Sequence, residues 1–196
     1  TILMIAARYD SIPHPAVTVY AASSEDIPQA YFVAAQRLGT TLAQRGTAVI
    51  NGGGRRGLMG AVNDAALAAG GRTIGVIPRF MEERGWQHPG LSRTIVTEDM
   101  HTRKATMAEL SDAAIALPGG VGTFEELLEI ITWRKLGLYS GPVIILNIDG
   151  YYDALLAMLA CAERQGFLNT YSDNKLYRVA TTAEEAADIA LGAVPF

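Results

Sequence analysis

Ala113-Ala-Ile-Ala-Leu117 runs directly into Pro118-Gly119-Gly120-Val121-Gly122-Thr123-Phe124-Glu125-Glu126. An unbroken apolar run of this length is a strand buried on both faces, and the proline with three glycines in the next four residues ends it. Helical spacing then begins, with Leu127, Ile130, Ile131 and Arg134 recurring by turns, which predicts a helix over Thr123–Leu136. A strand, a glycine turn and a helix in that order form half of a βαβ unit. The same grammar recurs along the chain. Val17–Ala22 predicts a strand and Pro28–Arg45 a helix. Thr47–Ile50 predicts a strand that breaks into Gly52-Gly53-Gly54, followed by an Ala-rich helix over Leu58–Ala69 closed by Gly70-Gly71. Thr73–Ile77 and Thr94–Thr97 are strands around an irregular Arg79–Ser92, and Asp99 caps a helix reaching Leu110. Pro142–Ile148 and Leu176–Val179 are strands. Tyr151–Gln165 and Thr182–Leu191 are helices, the last opened by the capping pair Thr182 and Glu185. Apolar strands alternating with helices predict an α/β chain, a Rossmann-like doubly wound parallel sheet with helices on both faces. Residues 1–16 read as an irregular extension and 17–196 as a single nucleotide-binding domain.

Composition bounds the function. The 196 residues suit one domain, large enough to bury a core without disulfide or metal staples. The formal net charge of −4 and pI near 5.4 disfavour nucleic-acid binding, which needs a basic face. Cys161 is the single cysteine, so an internal disulfide framework and a cysteine-cluster zinc site are excluded. His14, His88 and His101 have no ligand spacing, and no metal is expected. No apolar run approaches the ~20 residues of a membrane helix. The start lacks a signal peptide's basic opening, so the chain is expected to be cytoplasmic. Charged residues are 18% of the chain, below the typical ~25%, which points to surface buried between subunits.

In a doubly wound sheet, ligands bind beyond the carboxyl ends of the strands, where the glycine-rich turns lie. Glycines let backbone approach a ligand, and a helix N-terminus offers unpaired N–H groups and partial positive charge. Gly119, Gly120, Val121, Gly122, Thr123, Phe124 and Glu125 therefore predict a cradle for a phosphate or carboxylate. The plainer alternative is a tight turn with Thr123 as an N-cap. The pattern is neither a Walker A loop nor a dinucleotide fingerprint, so it suits one phosphate, as in a mononucleotide. Glu125 and Glu126 diverge by ~100° on a helix, so one can serve a ligand while the other faces elsewhere. Gly53 and Gly54 line the same crevice in this reading, with Arg55 and Arg56 either charged neighbours or solvated. Arg103 beside Lys104 can grip an anion bidentately, or simply form a basic face paired with Glu98 or Asp99. Trp86 and Trp133 are read as core or interface residues, and Ser23-Ser24 as polar lining rather than a nucleophile.

Together, Gly52-Gly53-Gly54 with Gly57-Leu58-Met59-Gly60, then Met100-His101-Thr102-Arg103-Lys104, then Pro118 to Glu126 resemble the Lonely Guy (LOG) family. The resemblance runs from about Val17 to Leu168 and includes Ile77-Pro78, Thr132-Trp133 and Asp149-Gly150-Tyr151-Tyr152. It implies a cytokinin riboside 5′-monophosphate phosphoribohydrolase, although many relatives carry a lysine decarboxylase label. It implies Arg103 and Glu126 as the catalytic pair, and Arg103, Lys104 and Gly119 to Glu125 as substrate-binding positions. It also implies dimers, or assemblies of dimers, with the active site at the subunit interface. The chain departs from the family pattern at Ala21-Ala22, at Asn51 for the usual tyrosine, at Arg55-Arg56, and at Gly85 for a substrate-binding glutamate.

The expected reaction is hydrolysis of the N-glycosidic bond of a purine nucleoside 5′-monophosphate, releasing free base and ribose 5-phosphate without a cofactor. Two rivals remain: a non-catalytic carrier of a nucleotide or molybdenum cofactor, and a general AMP-type nucleosidase. Decarboxylation fits poorly, because it usually needs a lysine Schiff base, and Lys104, Lys135 and Lys175 are the only lysines.

Overall fold

Small and β-branched residues fill the strands so that both faces of each can be covered. The computed structural model describes residues 12–168 and 175–193. Among them, seven strands form one parallel sheet in the order β4-β3-β2-β1-β5-β6-β7. The strands are β1 (Ala16–Tyr20), β2 (Ala48–Asn51), β3 (Thr73–Pro78), β4 (Arg93–Thr97), β5 (Ala113–Ala116), β6 (Val143–Leu146) and β7 (Arg178–Ala180). The helices are α1 (Gln29–Gln44), α2 (Gly57–Ala68), α3 (Arg79–Glu82), α4 (Met100–Glu109), α5 (Val121–Lys135), α6 (Asp153–Arg164) and α7 (Ala183–Ala190). The Rossmann-like architecture expected from the sequence is the one observed.

Successive strand residues face opposite ways, which divides the core into two layers. Val17, Val19, Val49, Ile115 and Ile144 pack with Leu38 and Leu42 of α1, Leu58 and Val62 of α2, and Ile189 of α7. Tyr20, Ile50, Ile74, Val76, Ile95 and Ile145 pack with Met107 of α4, Leu127, Ile130 and Ile131 of α5, and Leu159 of α6. Each such large side chain contributes roughly 1.5–3 kcal/mol by leaving water.

Boundaries shift where caps decide them. Helix α5 begins at Val121, two residues before the expected Thr123, with Gly120 as its N-cap residue. Thr123 therefore lies inside the first turn and is not the cap. The short helix α3 and the 3-10 turn Ile148–Gly150 were not expected; the latter takes the end of the predicted Pro142–Ile148 strand. Asp99 and Thr182 are caps as expected, accepting from the N–H groups of Thr102 and Glu185. Of the expected N-terminal extension, residues 1–11 lie outside the described residues, and Ala16 already belongs to β1.

Candidate active site

The sheet order reverses between β1 and β5, and a cleft of about 610 Å3 opens at the carboxyl ends of the strands there. One wall is the start of α5, with Gly120, Gly122 and Thr123 lining the cleft. No described side chain caps this helix. Its first N–H groups and its positive dipole end are thus presented to the cleft. A Cβ on Gly119 would meet Thr123 Oγ1 at 2.1 Å, so glycine is what lets the turn fold back over Thr123.

Two tyrosines fix this turn. Tyr151 donates its hydroxyl to the Gly119 carbonyl, and Tyr152 donates to the Leu117 carbonyl at 2.6 Å. Tyr152 is fully buried and packs edge-on against Tyr151 and Phe124. Sequence reasoning gave these tyrosines no such role; the aromatic pair just after β6 was the available signal. Tyr152→Phe is expected to lower unfolding free energy by about 1–3 kcal/mol, since it strands a buried carbonyl, and denaturant unfolding will measure it.

At the floor lie Arg103 of α4 and Glu126 of α5, both buried and both lining the cleft. Arg103 Nη1 donates to Glu126 Oε1 at 3.2 Å, and its Nε donates to the Val76 carbonyl at 3.0 Å. Glu98 instead pairs with Arg79, and Asp99 caps α4, so Arg103 is not part of a solvated basic face. Burial pushes the Glu126 carboxyl above its ordinary range, and the Arg103 guanidinium only partly offsets this.

Glu125 also lines the cleft, about 100° round the helix from Glu126. It accepts from the buried Lys104 ammonium, which also reaches Glu129 at 3.1 Å. Burial works against the Lys104 charge, but the two carboxylates outweigh it and raise its pKa above the usual lysine value. Lys104 itself is not among the residues lining the cleft.

The opposite wall comes from the loop after β2. Gly54, Arg55 and Arg56 line the cleft, as do Ala21, Ala22, Ser23 and Ser24 after β1. Gly53 lies behind the wall against Gly75. The amide of Gly53 donates to Asn51 Oδ1 at 2.9 Å, while Asn51 Nδ2 donates to Asn63 Oδ1 at 2.7 Å. Asn51 thus shapes the glycine loop from beneath rather than lining the cleft. Asn63 was missed by sequence reasoning, being a lone buried polar residue on an Ala-rich helix. Gly119, Val121 and Phe124 do not line the cleft; Val121 is exposed and Phe124 packs on the tyrosines. Trp86, expected in the core or an interface, lines the cleft together with Arg84. Gly85 is not part of the lining. Among the described residues, no group of three or more metal-ligating side chains occurs.

A family model described as possible lysine decarboxylase matches residues 59–190. A probable cytokinin riboside 5′-monophosphate phosphoribohydrolase of Oryza sativa subsp. japonica is 43% identical over 173 residues, covering 88% of this chain and 69% of the relative. A cytokinin riboside 5′-monophosphate phosphoribohydrolase of Arabidopsis thaliana is 43% identical over 169 residues, covering 86% and 78%. Among solved structures, the molybdenum cofactor binding protein of Rippkaea orientalis aligns with TM-score 0.70 at 23% identity, over 93% of this chain and 99% of that one. The Moco carrier protein of Chlamydomonas reinhardtii aligns with TM-score 0.69 at 24% identity, over 93% and 100%. Those two likenesses speak for the fold alone. The sequence relatives, covering most of the chain at 43% identity, go further: this chain belongs to the LOG family.

Proposed function

We propose that the chain hydrolyses the N-glycosidic bond of purine nucleoside 5′-monophosphates, with N6-modified adenine nucleotides as the leading substrates. The observation that carries this is the buried Arg103–Glu126 pair facing a cleft beside the uncapped start of α5. Phosphate binds the first turn of α5, with Gly120, Gly122 and the Thr123 hydroxyl around it. Anchoring the remote phosphate positions the sugar over the floor. The bond from C1′ to the base nitrogen breaks, its electron pair leaves with the base, and positive charge develops on the sugar. The Glu126 carboxylate stabilises that charge and orients the attacking water, whose oxygen bonds C1′ and whose proton it accepts. The Arg103 guanidinium stabilises the departing base or the substrate phosphate. Lys104 acts by holding Glu125 and Glu129, which keeps a second carboxylate off Glu126.

The lysine decarboxylase description finds less support. Lys104 is engaged by two carboxylates, and Lys135 donates to the Phe167 carbonyl, so neither offers a free amine in the cleft for a Schiff base.

Chromatographic detection of free base from isopentenyladenosine 5′-monophosphate, AMP, GMP and CMP tests the proposal. Fastest release from the prenylated nucleotide supports the cytokinin-activating reading, and fastest release from AMP supports a general nucleosidase. No release, with a nucleotide still raising the melting temperature, overturns hydrolysis in favour of a carrier.

The proposal extends to a cytoplasmic homodimer. Exposed Val121, Leu128, Leu136 and Leu138 lie along and just beyond α5, the helix whose start walls the cleft, and support subunit contact along it. Light scattering is expected to give twice the chain mass; a monomer at micromolar concentration overturns this.

A further inference from the structure

We propose that Trp86, backed by the Arg84 guanidinium, is the platform on which the nucleobase stacks, and that it makes the cleft selective for purines. This rests on the nucleotide reading above.

Trp86 lines the cleft yet keeps 46% of its surface exposed, and it belongs to neither core layer. A large aromatic side chain exposed on an inward wall is not there for folding. The Arg84 guanidinium carbon lies 5.2 Å from the Trp86 ring centroid and 5.8 Å from that of Phe80. Such a cation over a ring fixes its orientation. Gly85 sits between them at a φ of +66°, a backbone conformation that turns the chain sharply and disfavours a Cβ. No atom lies within 4 Å of the place a Gly85 Cβ would take, so conformation rather than space calls for glycine.

The backbone under the ring is clamped. Arg55 N–H donates to the Trp86 carbonyl at 3.2 Å, His88 N–H donates to the Gly53 carbonyl at 2.8 Å, and Gly54 bridges Gln87. His88 is buried, with Nε2 at 2.9 Å from Asp64 Oδ1. Trp86 is thus fastened to the loop whose first residue, Gly52, lies against the Arg103 guanidinium. From Gly52 to Arg55 the backbone spans at most about 10 Å. The reacting pair and the aromatic ring therefore flank the same short loop, and a sugar held over Glu126 leaves its base within reach of the indole.

Stacking suits every base but strengthens with ring overlap, so purines gain more than pyrimidines. Where the family pattern has a glutamate at position 85, this chain offers an indole one residue later.

Trp fluorescence tests the inference directly. In the Glu126→Gln background, which keeps the nucleotide intact, AMP is expected to quench emission more than CMP, and ribose 5-phosphate to leave it unchanged. Adding Trp86→Phe removes the quench while Trp133 still emits. In the otherwise unaltered protein, Trp86→Ala is expected to raise KM for AMP about tenfold with a smaller effect on kcat, and Trp86→Phe to restore most of the affinity. Melting curves establish that both variants fold. An unchanged KM in Trp86→Ala, or equal quenching by ribose 5-phosphate, overturns the stacking role while leaving hydrolysis standing. Quenching by AMP without base release from any nucleotide supports stacking and overturns hydrolysis instead.

Discussion

Glu126→Gln is expected to lower kcat for base release by about 10²- to 10⁴-fold while KM changes little, because the amide keeps the shape but can neither take a proton nor carry charge. Glu126 is buried, and its partner is a guanidinium 3.2 Å away that a neutral amide oxygen still accepts from. The fold therefore survives the change, and near-normal turnover would remove Glu126 from the proposed role. The pH profile supplies an independent readout. Burial raises the Glu126 carboxyl above its ordinary value of 4.5, and Arg103 opposes this only in part. A group that works as the anion loses activity as pH falls through its folded-state pKa. The acid limb of kcat/KM should therefore lie above pH 4.5, higher than for a solvent-exposed glutamate, and the residual activity of Glu126→Gln should lack that limb.

Gly52→Ala is expected to cost about a hundredfold in kcat/KM through a single methyl group directed at Arg103. A Cβ there would lie 1.7 Å from Arg103 Nη2 and 2.9 Å from its Cζ. Arginine is flexible and can retreat, so the chain still folds. Retreat breaks the contacts to Glu126 and the Val76 carbonyl, however, and misplacement by about 1 Å is worth ~10² in rate. The Arg103→Lys variant separates geometry from charge: it keeps the charge but loses the planar fork that reaches two acceptors at once, and should be similarly impaired. Wild-type kcat/KM in Gly52→Ala would show that the position of Arg103 does not limit the reaction.

The fold was legible in the sequence because period and punctuation agree. Apolar strands such as Ala113–Leu117 and glycine turns after β2 and β5 leave few topologies open. That the start of α5 walls a cleft was legible for the same reason, since three glycines at a strand-to-helix junction exceed what a turn needs. What composition and spacing left open was depth. Whether Arg103 is solvated or buried depends on Val76 and Glu126, both far away in sequence, and only the packed sheet joins them. Asn51 shows the same effect. Its departure from the family pattern suggested a change in the cleft wall, but its amide bonds Asn63 and the Gly53 backbone below the loop. The start of α5 was misplaced because Thr123 is a good capping residue by type, whereas the backbone cap at Gly120 needs no side chain. Trp86 lies outside both core layers, although indoles are mostly buried, and nothing local announced the backbone clamp that holds it at the cleft.

The two flanks of the sheet are joined by local βαβ steps, but they meet at one seam, where Val17 pairs with Ala113. Closing that seam requires a long stretch of chain to be gathered first, and the loop-closure entropy must be met before the contact returns any energy. The chain up to β4 can form its own strand neighbours early; the junction with β5 comes only once the later segment is present. The cleft opens at that seam, so its floor, with Arg103 from before β5 and Glu126 from after it, comes together only when the seam closes.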